Sequence, residues 1–452
     1  MRTFPVVRLI AVLAVVLTVT TGCIPIVRGP GGRDSGQGAG IGRGDAPTSS
    51  EADKVVRGAL KDVERFWSAT FPRLSGGRPF VAVQGGYHPY SQRNLPPPCG
   101  QEQAAYQPNA FYCPSGDFIA WDSEQLIPRL QADFGPLLVG VVMAHEYGHA
   151  IQARLGLAQQ PTIVLEQQAD CFAGSWVADV KAGRSKAFGQ INPDQLDSTV
   201  AGILQLRDQP GSSAVSPAAH GNAFDRVRAF QEGIEQGATR CAGYRAGNLP
   251  VTEVPFTTRE DAATGGNLPY RDAVKLLGQD VQSYWSRTFP RLANRNWQNL
   301  RIVAYDPADA PECNGRTRSE EEASGTAFYC RTGNFVAFDN RQLGPRLYQR
   351  IGDNAIGMLL ADLFAQAAQD RRGRPTQGRD AQITIDCLAG SWASDLLNRG
   401  RDSDLQLSPG DLDEAVAALL VFGRAGDSGD ASAFDRIAGF RDGVLEGLPA
   451  CT

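Results

Sequence analysis

The chain repeats itself, and that repetition limits what it can fold into. FWSATFPRL (66–74) returns as YWSRTFPRL (284–292), AFYCPSGDFIAWD (110–122) as AFYCRTGNFVAFD (327–339), and DCFAGSW (170–176) as DCLAGSW (386–392). Near the end of each half AFDRVRAFQEG (223–233) returns as AFDRIAGFRDG (433–443). An ordered series of matches at nearly constant offset reads as an internal duplication. Two homologous domains are expected, at 51–245 and 270–452, joined by a Pro/Thr/Gly-rich linker over 246–269. With 452 residues, 42% of them hydrophobic, each half is long enough to bury a core of its own.

Within each half the pattern runs from an amphipathic helix around DVERFW to strands and then helices, an α+β arrangement. Apolar residues flank a turn in the repeated Tyr-Cys-x-x-Gly-x-Phe-x-Ala segment, which predicts a β-hairpin. LLVGVVMAHEYGHAIQARL follows Gly135 and Pro136 and predicts an apolar helix with proline in its first turn, where a missing N–H costs nothing. VLEQQADCFAGSWVADV predicts a second buried helix.

Residues 1–22 place Arg2 and Arg8 ahead of an apolar run that ends in small residues, the layout of a secretory signal peptide. Cys23 follows in TTGC, similar to a lipoprotein acylation box with Thr20 where Leu is usual, so the chain is expected to be exported and lipid-anchored at the outer face of the cell membrane. Residues 23–50 contain GPGGRDSGQGAGIGRGDAPTSS, almost without apolar content, and read as a flexible tether. A net charge of −5 with no Lys/Arg run leaves no electrostatic footprint for a nucleic acid. Nine cysteines in an exported chain invite pairing: with Cys23 set aside, Cys99 with Cys113 and Cys171 with Cys241 in the first half correspond to Cys313 with Cys330 and Cys387 with Cys451 in the second. No C-x-x-C spacing supports a cysteine zinc site.

The chemistry concentrates at HEYGH (145–149). His145 and His149 lie four residues apart on the expected helix, hence on one face, and both imidazoles can reach one ion. Glu146 projects beside them as a general base, and Glu166 on the next helix is a candidate third ligand, with Asp170 one turn later. Short H-E-x-x-H strings arise by chance. The duplication supplies a control: HEYGHAIQ falls opposite DLFAQAAQ (362–369), so His145, Glu146 and His149 become Asp362, Leu363 and Gln366, and Glu166 becomes Gln382. All four histidines of the chain, His88, His145, His149 and His220, sit in the first half. The repeat keeps the scaffold and discards the proposed metal ligands as a set.

HEYGHAIQ, then EQQADCFAGSW, preceded by AFYC and followed by HGNAFDR, resembles the bacterial neutral zinc metallopeptidases of gluzincin type. The resemblance implies a zincin-like domain, degenerate in its second copy, with one zinc per chain held by His145, His149 and Glu166 and with Glu146 as the catalytic carboxylate. It implies for Asp170 the role of orienting a zinc-binding histidine. Asp386 survives opposite Asp170, so either Asp170 has a packing or helix-capping role too or the second copy has not yet drifted there; Arg226, surviving as Arg436, reads as structural. An oxyanion donor is expected from His220, opposite Asp430, with His88 as the other candidate, aligned to Asp306 through GYHPY and AYDPA. The expected activity is zinc-dependent hydrolysis of peptide or protein substrates by the first domain; cell-wall amides are a further substrate class. The alternative is a non-catalytic binding or scaffold lipoprotein with a structural zinc.

Overall fold

The computed structural model describes residues 49–100, 105–212, 219–256, 258–399, 403, 405–422 and 430–452. The expected signal peptide, Cys23 and nearly all of the expected tether lie outside the described residues. Among those residues the first half runs α1 (Ser49–Leu74), β1 (Gly86–Tyr90), β2 (Ala110–Cys113), β3 (Phe118–Asp122), α2 (Leu126–Phe134), α3 (Pro136–Leu155), α4 (Thr162–Lys181), α5 (Pro193–Gln205) and α6 (Ala223–Ala242). A short α7 (Arg259–Thr264) falls within the expected linker. The second half then runs α8 (Tyr270–Ala293), β4 (Arg301–Tyr305), α9 (Glu320–Ala323), β5 (Ala327–Cys330), β6 (Phe335–Asp339), α10 (Leu343–Arg350), α11 (Asn354–Arg371), α12 (Arg379–Leu397), α13 (Asp411–Phe422) and α14 (Ala433–Glu446). The chain is α+β, and apart from α7 and α9 the second half passes through the same order of elements as the first.

Each half carries a small mixed sheet. The strand orders are β1-β3-β2 and β4-β6-β5, with the central strand parallel to one neighbour and antiparallel to the other. The expected hairpins are β2–β3 and β5–β6. Strand register overturns one expected pairing. His88 lies opposite Ala120, whereas Val303, not Asp306, lies opposite the equivalent Ala337. Tyr90 and Tyr305 are the true counterparts: each hydroxyl donates to backbone carbonyls of the loop entering the hairpin, Tyr90 to Gln107 and Asn109, Tyr305 to Ala323 and Thr326. Matching the letters of GYHPY to AYDPA slides the strand by three residues.

The repeated motifs are mostly scaffold. A Cβ on Gly174 would stand 2.0 Å from the Phe230 carbonyl oxygen, and one on Gly233 would stand 1.9 Å from that of Cys171, so α4 and α6 touch backbone to backbone. Gly390 and Gly443 do the same for α12 and α14, at 2.2 Å from Phe440 O and 2.0 Å from Cys387 O. Four disulfides join the paired cysteines: Cys99–Cys113, Cys171–Cys241, Cys313–Cys330 and Cys387–Cys451. Closing loops of these lengths stabilises each half by about 3–4 kcal/mol per bridge in the chain-entropy account.

All described residues belong to one compact unit, and the halves exchange reciprocal contacts. Asp197 on α5 accepts from the Phe434 and Ala433 N–H groups at the start of α14, at 2.7 and 3.0 Å. Asp413 on α13 accepts from the Phe224 N–H at the start of α6, at 2.9 Å. Each carboxylate thus caps the other half's helix, where unsatisfied N–H groups and the positive end of the helix dipole favour an anion. Among the described residues no helix is long and apolar enough to cross a membrane.

Candidate metal centre

The site stands where α3 crosses α4. Gly148 makes the crossing close: a Cβ there would lie 3.0 Å from Ala169 Cα. This brings the His145 and His149 face of α3 against Glu166 on α4. The two Nε2 atoms stand 3.2 Å apart, with Glu166 Oε2 3.3 Å from His145 Nε2 and Glu166 Oε1 3.5 Å from His149 Nε2.

Proton bookkeeping shows what this triangle lacks. His145 Nδ1 lies 2.8 Å from Asp170 Oδ1, and an ionised carboxylate only accepts, so Nδ1 carries the hydrogen and Nε2 offers a lone pair. His149 Nδ1 lies 3.0 Å from Gln152 Oε1, and the Gln152 amide is fixed the right way round because its Nε2 donates to Leu165 O at 2.6 Å. With both imidazoles neutral, two lone pairs face each other across 3.2 Å, so the site calls for either a proton or a metal ion between them. Glu166 Oε2, buried beside them, has no hydrogen bond. A cation between the three residues resolves all of this. The edge of a tetrahedron with zinc–ligand bonds of about 2.0–2.1 Å is about 3.3 Å, which matches the three separations. Two imidazoles and a carboxylate are also the donor set that zinc accepts in catalytic sites.

Electrostatics point the same way. Burial opposes a charge on His145, but Asp170 and Glu166 outweigh it and the imidazole is pushed up to about 10. Burial likewise opposes ionisation of Glu166, yet His145 and His149 pull its carboxyl down to about 2. The pocket is organised around positive charge. Glu146, 8% exposed, differs: burial raises its carboxyl above the ordinary range, and its Oε2 is held by the Tyr112 N–H of edge strand β2 at 2.9 Å.

Three contributors escaped the sequence reading. Arg226 forms a bidentate pair with Asp170, Nε to Oδ2 at 2.8 Å and Nη2 to Oδ1 at 3.0 Å, so the chain Arg226–Asp170–His145 fixes the imidazole. Its survival as Arg436 had placed it with the scaffold. Gln152 orients His149, and its persistence as Gln369 hid that role in the same way. Tyr112 acts through its backbone, which leaves no trace in residue type.

The remaining histidines part company. Gly221, next to His220, packs on Ile163 in the first turn of α4, where a Cβ would lie 2.7 Å from Ile163 Cδ1. His220 is half-exposed, its Nδ1 3.4 Å from Asp208 Oδ1, and its charge acts on Glu166. His88 sits on β1, the edge of the sheet away from β2, with Nε2 2.8 Å from its own Gly85 carbonyl and its ring edge-on to Phe118.

At the equivalent place in the second half the network is closed. Gln366 Nε2 donates to Asp362 Oδ2 at 2.9 Å, Arg436 Nη2 reaches Asp362 Oδ1 at 3.2 Å, and Gln382 Oε1 accepts the Ala431 N–H at 2.8 Å. Arg436 and Asp386 keep the bidentate pair, at 2.7 and 2.9 Å.

The family model described as "Putative neutral zinc metallopeptidase" matches residues 6–244, a span that contains every group of the cluster. The uncharacterized protein YpfJ of Escherichia coli K12 is 27% identical over 214 residues, 43% of this chain and 72% of that one. The uncharacterized protein Rv2575 of Mycobacterium tuberculosis H37Rv is 24% identical over 231 residues, 45% and 75% of the two chains. No solved structure matches.

Proposed function

Since the chain belongs to this neutral zinc metallopeptidase family, we propose that its first half hydrolyses peptide bonds with one zinc held by His145, His149 and Glu166. The observation that carries the proposal is the triangle of donor atoms at 3.2–3.5 Å, whose two histidines already spend Nδ1 on other partners. When bound, the zinc supplies Lewis-acid polarisation and makes water nucleophilic near neutral pH. The chain's own groups do the rest. Glu146 takes the proton of the attacking water and hands it to the leaving amine, a task suited to a buried carboxyl with a raised proton affinity. The Tyr112 N–H holds that carboxylate in place, and Asp170 with Arg226 and Gln152 fix the two imidazoles. His220, on the loop packed over the first turn of α4, is the candidate donor to the developing oxyanion.

The second half is read as a tandem copy of the same zincin-like domain with its metal ligands replaced. The repeated element order, the paired glycine crossings and the closed Asp362 network support this. The proposed boundaries remain 51–245 and 270–452. Export with a lipid anchor at Cys23 is proposed from the N-terminal segment, and the four disulfides, which persist in oxidising compartments, support it. Peptides or proteins near the membrane surface are the proposed substrates.

The test is zinc content and peptide hydrolysis of the mature chain. Glu146→Gln is expected to keep one zinc and lose turnover by about 10²–10⁴-fold. His149→Ala is expected to lose the zinc. Unchanged turnover in Glu146→Gln would remove the peptidase reading while leaving a structural zinc possible.

A further inference from the structure

Three carboxyls of the second half converge at a place where the first half has none. Asp353 stands just before the first residue of α11, Asp411 opens α13 and Glu414 follows it by one turn; one oxygen of each lies within 4.8 Å of the others. Asp353 and Asp411 are 4% and 8% exposed, and Glu414 is partly buried. Gly135-Pro136 aligned with Gly352-Asp353, and NPDQLDS (192–198) with SPGDLDE (408–414), put Pro136, Gln195 and Ser198 at these positions in the first half. The second half therefore loses one set of ionisable groups and gains another.

Nothing among the described residues neutralises the new set. No arginine, lysine or histidine pairs with any of the three. Each carboxylate accepts a single backbone N–H: Leu268 to Asp353 Oδ2 at 3.0 Å, Ser408 to Asp411 Oδ2 at 2.6 Å and Asn354 to Glu414 Oε2 at 2.9 Å. Asp353 Oδ1 is buried with no partner, and the neighbouring Asn354 turns its Nδ2 to the Asp411 carbonyl at 2.7 Å. The starts of α11 and α13 supply only roughly half a positive charge each against three negative groups. Gly352 makes room for the cluster, since a Cβ there would stand 1.9 Å from Glu414 Oε1.

We propose that Asp353, Asp411 and Glu414 bind a hard divalent cation, calcium, at a site separate from the histidine cluster. All three donors are carboxylate oxygens, which suit calcium and magnesium rather than zinc. Calcium accepts irregular sets of several carboxylates, whereas magnesium demands near-octahedral geometry and sheds water reluctantly. Water would complete the shell. The site joins three segments: Asn267 and Leu268 at the end of the linker, bound to Asp353, then α11, then α13. Through Asp413 the same α13 caps α6 of the first half, so the ion would fasten the second half, the linker and the cross-half contact together.

The test uses the whole mature chain, freed of calcium and supplied with zinc, titrated with calcium chloride or magnesium chloride by calorimetry and by thermal unfolding. One calcium per chain is expected, with a Kd of about 0.1–1 mM and a rise in Tm that equal magnesium does not match. The double variant Asp411→Asn/Glu414→Gln keeps an acceptor for the Ser408 and Asn354 N–H groups while removing two charges. It is expected to bind calcium at least about tenfold more weakly and, without calcium, to melt no lower than the parent. His149→Ala is expected to bind calcium as the parent does. No uptake up to about 10 mM, or uptake unchanged in the double variant, overturns the proposal. So does a parent that gains Tm on acidification but not with calcium, which would mean that the carboxyls share protons instead.

Discussion

The site around His145 and its counterpart around Asp362 share one skeleton and differ in what completes it. In both, an arginine from the last helix of the half grips a buried aspartate bidentately, Arg226 with Asp170 and Arg436 with Asp386. In the first half that aspartate orients an imidazole and leaves a nitrogen lone pair aimed at Glu166. In the second half the arginine extends to Asp362, Gln366 donates to the same carboxylate, and among the described residues no cluster of possible metal ligands forms there. The Asp–Arg pair is therefore a packing device used by both halves and an orienting device in one. This explains why it outlasts the ligands, which sequence alone left as a puzzle about Asp386.

The strongest way to break the comparison is to exchange the ligands. Replacing Asp362, Leu363, Gln366 and Gln382 by His, Glu, His and Glu is expected to raise zinc content from one to two per chain, and His145→Asp to lower it to none, both read by metal analysis. Zinc content that stays at one in the four-residue variant would show that the halves differ in backbone as well as in ligands.

The arginines come next. Arg226→Met leaves Asp170 with only His145, and Arg436→Met leaves two buried carboxyls with no cation. Each is expected to cost about 3–5 kcal/mol in urea unfolding, because a buried ion pair that loses one partner strands the other. Zinc affinity separates them: it should fall about 10–100-fold in Arg226→Met, through loss of the group that fixes Asp170, and stay unchanged in Arg436→Met.

How much of this was legible follows from what kind of signal each feature leaves. The α3 and α4 helices, the hairpins and the cysteine pairs show in periodicity, turn residues and the repeat. The cluster of His145 and His149 with Glu166 shows because imidazoles at i and i+4 share one face of a helix. Arg226 and Gln152 did not, because a residue kept in both halves looks structural whether or not it has acquired a second task. The Tyr112 N–H could not, since any residue supplies one. The strand pairing of His88 failed because two tyrosines three residues apart offered competing registers, and only the ladder opposite β3 decides between them. The reciprocal caps by Asp197 and Asp413 lie between elements far apart in sequence, where no local pattern reports them.

A smaller contrast concerns protons. Burial pushes the Asp386 carboxyl up to about 7, and although Arg436 pulls it down, the neighbouring Asp362 adds to the rise. A folded-state value above the unfolded one, about 3.9, means that the native state holds the proton more tightly. Stability from this group is full below about pH 4 and is lost as pH rises through about 7. Asp362→Asn removes the like charge and keeps an acceptor for Gln366. It is expected to lower the Asp386 value and to stabilise the chain at pH 8 relative to pH 5, by about 1–3 kcal/mol, in urea midpoints compared across that range.

The finest contrast is one methyl group. Gly148 faces Ala169 at the crossing of α3 and α4, and the second half has Ala365 at the same place, fully buried and accommodated. A Cβ on Gly148 would lie 3.0, 3.2 and 3.3 Å from Ala169 Cα, Cβ and O, so α4 must give by a few tenths of an ångström. Alanine is the better helix former by about 1 kcal/mol, which offsets that strain, and the net change in stability of Gly148→Ala is expected to stay within about 1 kcal/mol. Metal geometry is less forgiving, because Glu166 rides on α4 one turn before Asp170 and productive sites tolerate shifts of only about 0.5 Å. Zinc affinity, measured by competition with a chromophoric chelator, should therefore weaken about two- to tenfold while the urea midpoint hardly moves. The reverse change, Ala365→Gly, should cost about 1 kcal/mol of stability and leave zinc untouched. A Gly148→Ala variant that binds zinc as tightly as the parent would show that the histidine face, and not the closeness of the crossing, sets the site.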